Sequence, residues 1–322
     1  MEASFIIPLY NALGHTREAW RTLQATLPRG LGHEVIFVDD GSTDGTREWL
    51  RALPAPARAL LNERNRGFAG ACNRGAAEAR GRTLFFLNND LVLRPGWFEP
   101  MLALLDRDPR AGLVGNIQRD ARTGAVDHTG VSFNHKGKPE HRHDRPLAAR
   151  LRGFREADAV TGACCAILAG TWRELGGFDE GFRNGGEDVD LCLRARAAGR
   201  RNLVSFRSIV LHHVSASPGR KLRDEQNSRR LAERWRPAIA RLSARAWARH
   251  YLSTQWHGAR DPDEFPAALG ALGLDLRLLP APAPATVAGA DHALEIEFMR
   301  WREILDGQAS RPAPAGGRTD EI

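Results

Sequence analysis

Cysteine is scarce in this chain: there are four in 322 residues, Cys72, Cys164, Cys165 and Cys192. They form no paired CxxC pattern, and two adjacent cysteines make a poor disulfide framework. A zinc ribbon and a secreted disulfide scaffold are therefore excluded, and the thiols are expected to be reduced, in a cytosolic setting. No apolar run approaches the roughly 20 residues of a membrane-spanning helix, which argues against an integral membrane protein but not against peripheral attachment. The opening MEASFIIPLY lacks the basic region and the longer apolar core of a signal peptide. A glycine-rich loop ending in Gly-Lys-Ser or Gly-Lys-Thr is missing, and so is any recognised nucleic-acid-binding motif. What is present is globular: 42% hydrophobic and 26% charged residues, in a chain long enough to bury about 75% of its unfolded surface. The net charge is +7, from 46 Lys plus Arg against 39 Asp plus Glu. Such a surplus, almost all arginine, suits phosphate-bearing or membrane-surface partners, and it also occurs in proteins that bind neither.

Apolar runs and helical spacings alternate along the first half. Strands are predicted at 4–9, 34–38, 59–61, 83–87 and 112–117. Between them, helices are predicted at 15–27, 46–53, 67–79 and 95–105, the last with Pro95 in its first turn. This order implies an α/β fold with a mostly parallel sheet covered by helices on both faces. Ligands of such sheets bind beyond the carboxyl ends of the strands. Residues 119–150 read as polar loop with a hairpin near Val131 and Phe133. A small apolar segment follows at 159–168, then a helix at 189–198 and a strand at 203–214. The compact domain is expected over residues 1–218, with a donor-side half to about 117 and an acceptor-side half beyond. After it come a basic helical extension at 219–279, a stiff Pro/Ala linker at 280–290, a helix at 291–306 and a disordered tail at 307–322.

Four polar clusters could carry chemistry. Asp39 and Asp40 end a strand beside a Gly-Ser-Thr turn, where carboxylates accept hydrogen bonds from a base or ribose, or cap the turn itself. Asn88-Asn89-Asp90 ends another strand; Asp90 is a hard oxygen ligand suited to Mg²⁺ or Mn²⁺ holding a diphosphate, although an Asn-rich turn has the same composition. Glu187-Asp188-Val189-Asp190 places three carboxylates in four residues at a helix start. Acidic residues are favoured there, and one held near a bound hydroxyl can act as general base. His212 and His213 end an apolar stretch, where one could share a metal with Asp90 or simply pack. Asn65 to Asn73 is glycine-rich and opens a helix, either for close approach to a ligand or for packing through small residues.

Taken in order, these elements resemble a family-2 glycosyltransferase of the GT-A fold from Ser4 to about Trp235. The matching segments are Ile7-Pro8-Leu9-Tyr10-Asn11, Val38 to Asp44, Asn65 to Asn73 and Leu87-Asn88-Asn89-Asp90. Gly177-Phe178-Asp179-Glu180, Glu187 to Leu191, and His212 with Ser217 complete the set. Within that family the chain is most similar to bacterial rhamnosyltransferase-like enzymes of surface polysaccharide synthesis. The resemblance implies a Rossmann-like, mostly parallel sheet and an inverting transfer from a nucleotide-diphosphate sugar, TDP- or UDP-linked, to a hydroxyl of a saccharide or lipid-linked saccharide. It implies Asp188 as catalytic base and Asp90 with His212 as ligands of Mg²⁺ or Mn²⁺, His213 being the second choice. Nucleotide binding falls to Pro8, Tyr10, Asp39, Asp40, Asn65, Gly67, Asn73 and Asn89, and acceptor contacts to Glu187, Asp179 and His213. Asp190 is expected to be structural. The departure is Asn88, where a full DxD motif carries aspartate; it keeps open a non-catalytic nucleotide-sugar or saccharide-binding module of the same fold.

The arginines from Arg229 to Arg249 alternate with Leu231, Trp235, Ile239, Leu242 and Trp247, interrupted by Pro237. That basic amphipathic pattern either packs its apolar side on the catalytic domain or on a second subunit, with the arginines facing water, or lies on an anionic lipid surface at the cytoplasmic face. Packing is the favoured reading.

Overall fold

The computed structural model describes residues 1–213, 220–254, 256 and 265–306. Ser217 and the 307–322 tail lie outside the described residues. The chain divides into two compact units, one of residues 1–133 and 139–223, the other of residues 134–138 and the chain from Asp224 on.

In the first unit, β1 (Ala3–Leu9) is buried at all seven positions, so the opening apolar run is a central strand covered on both faces. It is followed by α1 (Leu13–Thr26), β2 (His33–Asp39), α2 (Thr46–Arg51), β3 (Ala57–Leu61), α3 (Gly67–Ala77) and β4 (Thr83–Leu87). Strands β3, β2, β1 and β4 pair in parallel in that order. Helix α3 lies hard against the sheet: a Cβ on Gly75 would sit 2.6 Å from Ile6 Cγ2 and 3.0 Å from Val38 Cγ2. After the short β5 (Leu91–Val92), α4 (Glu99–Arg107) begins later than predicted, with Pro100 rather than Pro95 in its first turn. Gly96, in the left-handed region at φ 81°, breaks the run between them.

The sheet continues with β6 (Ala111–Asp120) and its antiparallel partner β7 (Val126–His128). The expected hairpin is β8 (Val131–Phe133) with β9 (Pro139–His141). Helix α5 (Leu147–Arg152) and β10 (Phe154–Ala157) follow. The apolar stretch at 159–168 is a strand only over β11 (Cys164–Leu168), which runs antiparallel between β4 and β6. Helices α6 (Ala169–Leu175) and α7 (Glu187–Ala197) lead to β12 (Arg201–His212). The full order is β10-β12-β6-β11-β4-β1-β2-β3, a mostly parallel Rossmann-like sheet of the GT-A kind. Its core joins Phe5, Phe37, Phe85, Trp97, Phe98 and Met101. All four cysteines are free and buried. Burial pushes the Cys164 thiol up to about 12, which leaves no reactive thiolate at neutral pH.

In the second unit, α8 (Arg220–Thr254) is kinked at Trp235, two residues before Pro237. Its residues Ala244 and Ala248 pack with Ala271 and Leu274 of α9 (Phe265–Asp275) and Ala290 of α10 (Pro284–Trp301). A Cβ on Gly289 would come within 2.2 Å of the Trp247 ring, so α10 approaches α8 through that glycine. Ala244, Trp247 and Ala248 of the basic helix are thus covered by α9 and α10 of the same unit, a partner that the packing reading did not name. Arg236 pairs with Asp291 at 2.7 Å and with Glu295 at 2.8 Å. The segment read as an extended linker at 280–290 is helical from Pro284 onward, because proline suits the first helical turn and alanine the following ones. A helix was expected at 291–306; α10 runs through Trp301 and ends in one wide turn over Arg302–Asp306.

Candidate active site

The carboxyl ends of β1, β2, β3 and β4 bring the loops after Leu9, Asp39, Leu61 and Leu87 to one edge of the sheet. The loops are stitched together there: the Asp40 amide donates to Leu9 O and the Asn62 amide to Asp39 O, both at 2.8 Å. Asp39 is fully buried, and its carboxylate accepts from Arg47 Nε at 2.7 Å and from the amides of Gly41 and Ser42. Asp40 accepts from Asn62 Nδ2 at 2.6 Å and from the amides of Arg66 and Gly67, each at 2.8 Å. Both carboxylates therefore build the loop floor. Gly67 sits at φ 77°, a backbone position that glycine permits.

The remaining predicted donor-side residues sort into engaged and open ones. Pro8 is buried within β1. Asn73 donates to Phe178 O at 2.9 Å and accepts from the Phe178 amide at 2.9 Å, which fastens α3 to the 177–181 turn. Asn89 donates to Thr16 Oγ1 at 2.9 Å. Tyr10 is 54% exposed at the sheet edge, and Asn65, also exposed, accepts from the Gly67 amide at 3.0 Å through Oδ1. Arg66 pairs with Glu180 at 3.1 Å.

Asp90 and His212 do come together. Strand β12 crosses the sheet beside β6 with a register shift between Ser205 and Ile209, and its end pairs with β5 so that His212 lies opposite Leu91. His212 Nε2 then stands 3.1 Å from Asp90 Oδ1. The two atoms lack the alignment of a hydrogen bond, and this buried carboxylate oxygen has no other partner. A carboxylate oxygen and an imidazole nitrogen facing each other in this way fit a shared divalent cation. His213 points elsewhere: its amide donates to Asp90 O at 3.0 Å, while its ring meets Glu18 of α1 at 3.3 Å and His15 at 4.6 Å between ring centres. His15, Glu18 and His213 form a candidate metal-binding cluster, with ligand atoms within 4.8 Å of one another.

On the other side, Gly185 and Gly186 carry the chain at positive φ into α7. Asp188, half-buried, accepts from the Gly162 amide at 2.7 Å through Oδ2 and from the Val189 amide at 2.8 Å through Oδ1. One residue along, Ala163 O accepts from the Asn88 amide at 2.8 Å. The 161–163 segment thereby links Asp188 to the Asn88–Asp90 turn. Burial raises the Asp188 pKa above its ordinary 3.8, against the pull of the two amides. Glu187 is buried beside it and accepts from the Gly185 amide at 2.8 Å; burial first, and then the Asp188 charge, push its pKa up to about 7. Asp190 is fully buried and paired with Arg194 at 2.8 Å, an internal tie within α7. Asp179 accepts from the Gly181 amide at 2.8 Å and holds the preceding turn.

Sequence reasoning missed Arg47, Asn62, Gly162, His15 and Glu18. Each acts through a partner far along the chain, and no local pattern marks such a pairing.

A family model described as Glycosyl transferase family 2 matches residues 4–167, about half of the chain. The O-antigen biosynthesis protein RfbC of Myxococcus xanthus is 35% identical over 153 residues, which are 45% of this chain and 12% of that protein. An N-acetylglucosaminyl-diphospho-decaprenol L-rhamnosyltransferase of Mycobacterium tuberculosis is 29% identical over 209 residues, 58% of this chain and 68% of that one. The chain spans 26% and 12% of the length of two of the curated proteins that it matches. Its fold is shared with a crystal structure of GalNAc-T7 with UDP, GalNAc and Mn²⁺, at a TM-score of 0.62 and 17% identity, over 96% of this chain and 57% of that one. On the match over residues 4–167, the chain belongs to glycosyl transferase family 2.

Proposed function

We propose that the chain is an inverting, metal-dependent glycosyltransferase. It moves a sugar from a TDP- or UDP-linked donor to a hydroxyl of a saccharide or lipid-linked saccharide in bacterial surface polysaccharide synthesis. The observation that carries this reading is the pairing of Asp90 with His212 at the sheet edge where the 161–163 segment also holds Asp188. The RfbC and rhamnosyltransferase relatives support the substrate class, and the mycobacterial name points to a lipid-linked acceptor.

Asp188 removes the proton from the attacking acceptor hydroxyl. Each of its oxygens spends one lone pair on an amide and keeps another for that proton. Burial raises its proton affinity, which favours the transfer. Glu187, whose pKa burial and the Asp188 charge push up to about 7, carries a proton for part of the time at neutral pH and can donate a hydrogen bond to the acceptor. Asp90 and His212 would hold Mg²⁺ or Mn²⁺, which when bound offsets the charge of the departing diphosphate. Tyr10 and Asn65 contact the nucleotide from the exposed rim, over a floor set by Asp39 and Asp40. The chain works in the cytoplasm, and with a lipid-linked acceptor it meets that acceptor at the inner face of the membrane.

The test is calorimetric titration with UDP, TDP, GDP, CDP and ADP, each with Mn²⁺, Mg²⁺ or EDTA. One base bound selectively, and more tightly with metal, is the expected result. Folded protein that binds none of them overturns the reading, and binding without hydrolysis or transfer leaves the non-catalytic module that Asn88 keeps open.

A further inference from the structure

We propose that His15, Glu18 and His213 form a zinc site of their own, separate in its side chains from the Asp90–His212 pair. His15 and Glu18 are three apart on α1 and share one face of that helix. His213 follows the last residue of β12 and brings the third donor from the opposite end of the unit's sequence. Among the described residues, these are the three His, Cys, Asp or Glu side chains whose ligand atoms lie within 4.8 Å of one another. Neighbouring ligands around a tetrahedral ion stand about 3.4 Å apart for bonds of about 2.1 Å, so the ligand atoms would close by up to about 1.4 Å on binding.

The donor set selects the ion. Two imidazoles and one carboxylate suit Zn²⁺, with water in the fourth position, whereas Mg²⁺ and Ca²⁺ prefer all-oxygen sites. The existing contacts are those of a half-built site: His213 Nε2 lies 3.3 Å from Glu18 Oε2, and the two imidazole rings stand 4.6 Å apart. His15 is exposed and the other two are half-buried, so an ion has a path in. Because α1 follows the Tyr10–Asn11 loop and His213 follows His212, an ion here would tie the start of α1 to the end of β12. It would stiffen the donor-side loop without touching the diphosphate.

Zinc binding to the whole chain, stripped with EDTA and titrated with ZnCl₂ at pH 7.5, tests this, with Co²⁺ absorption as a second readout of tetrahedral coordination. Changing even an outer partner of a metal ligand costs about 10–100-fold in affinity. His15→Ala and Glu18→Gln should therefore each weaken one zinc equivalent at least tenfold, while Asp90→Asn leaves that equivalent intact. The proposal is overturned if His15→Ala and Glu18→Gln bind zinc as the wild type does. It is equally overturned if no zinc equivalent survives Asp90→Asn. Neither outcome depends on the transferase reading, since no nucleotide or sugar enters the assay.

Discussion

The Gly162 amide donates a 2.7 Å hydrogen bond to Asp188 Oδ2, so the orientation of the proposed base is set by a residue 26 positions earlier. The same glycine leaves no room beside it: a Cβ there would meet Phe68 at 3.1 Å and Asp188 Cβ at 3.4 Å. The carboxylate is thus held by backbone on one side and by packing on the other.

If Asp188 is the base, Asp188→Asn keeps the shape and one of the two amide bonds, its Nδ2 being a donor that cannot accept the other, and cannot take the proton. Transfer is expected to fall by about 10²–10⁴-fold, with the affinity for UDP or TDP unchanged by calorimetry. In the wild type the rate should decline as the pH drops through a value above 3.8, because burial raises the Asp188 pKa. Near-normal turnover in Asp188→Asn would remove the assignment.

Glu187 makes a prediction about stability. Its folded pKa of about 7 lies above the ordinary 4.5, so the folded state binds the proton more tightly than the unfolded chain does. The contribution is fully present below about 4.5 and is lost as the pH rises through 7. Its upper size is roughly 3 kcal/mol. Glu187→Gln can still accept the Gly185 amide and has no proton to lose. The variant should therefore melt about 5 °C above the wild type at pH 8, and the difference should shrink towards pH 5. Parallel melting curves across that range would show that Glu187 does not carry the shift.

How far the sequence carries can be seen in these residues. The parallel strands were legible because β1 and β2 are buried on both faces and read as unbroken apolar runs ending in Asp and Asn turns. That Asp90 shares a metal with one of the two histidines was one reading of the residues, and only the family resemblance singled out His212, since 121 residues and a register shift separate the two. For Asp39 and Asp40 the sequence left two readings. A carboxylate at a strand end has the same local signature whether it faces a ribose or caps its own loop, and the hydrogen bonds from Arg47, Asn62 and Gly67 show the loop contacts. The start of α10 was misread because Pro/Ala repeats suit an extended chain and a helix's first turn equally well.

Asp90 and His212 predict a metal effect that EDTA should abolish. With Asp90→Asn or His212→Ala, the gain in UDP or TDP affinity on adding Mn²⁺ should drop at least tenfold, while affinity in EDTA stays at the wild-type value. A Mn²⁺ gain that survives both substitutions would place the metal elsewhere.

The donor-side residues separate by exposure, and that separation can be measured. Asp40 accepts three hydrogen bonds in a buried loop. Asp40→Ala strands those donors at a cost of about 3 kcal/mol or more, so melting should fall by about 5–10 °C, and nucleotide affinity should fall with it because the loop loses its form. Tyr10 is 54% exposed at the end of β1. Tyr10→Ala should leave melting nearly unchanged, yet it removes any ring on which a base could stack, a contact worth about 1–3 kcal/mol, or roughly tenfold in affinity. Calorimetry and melting on both variants therefore give opposite patterns if the floor and the rim play different parts. Wild-type affinity in Tyr10→Ala would move the base away from this rim, and an unchanged melting temperature in Asp40→Ala would mean that the amide bonds do not hold the loop.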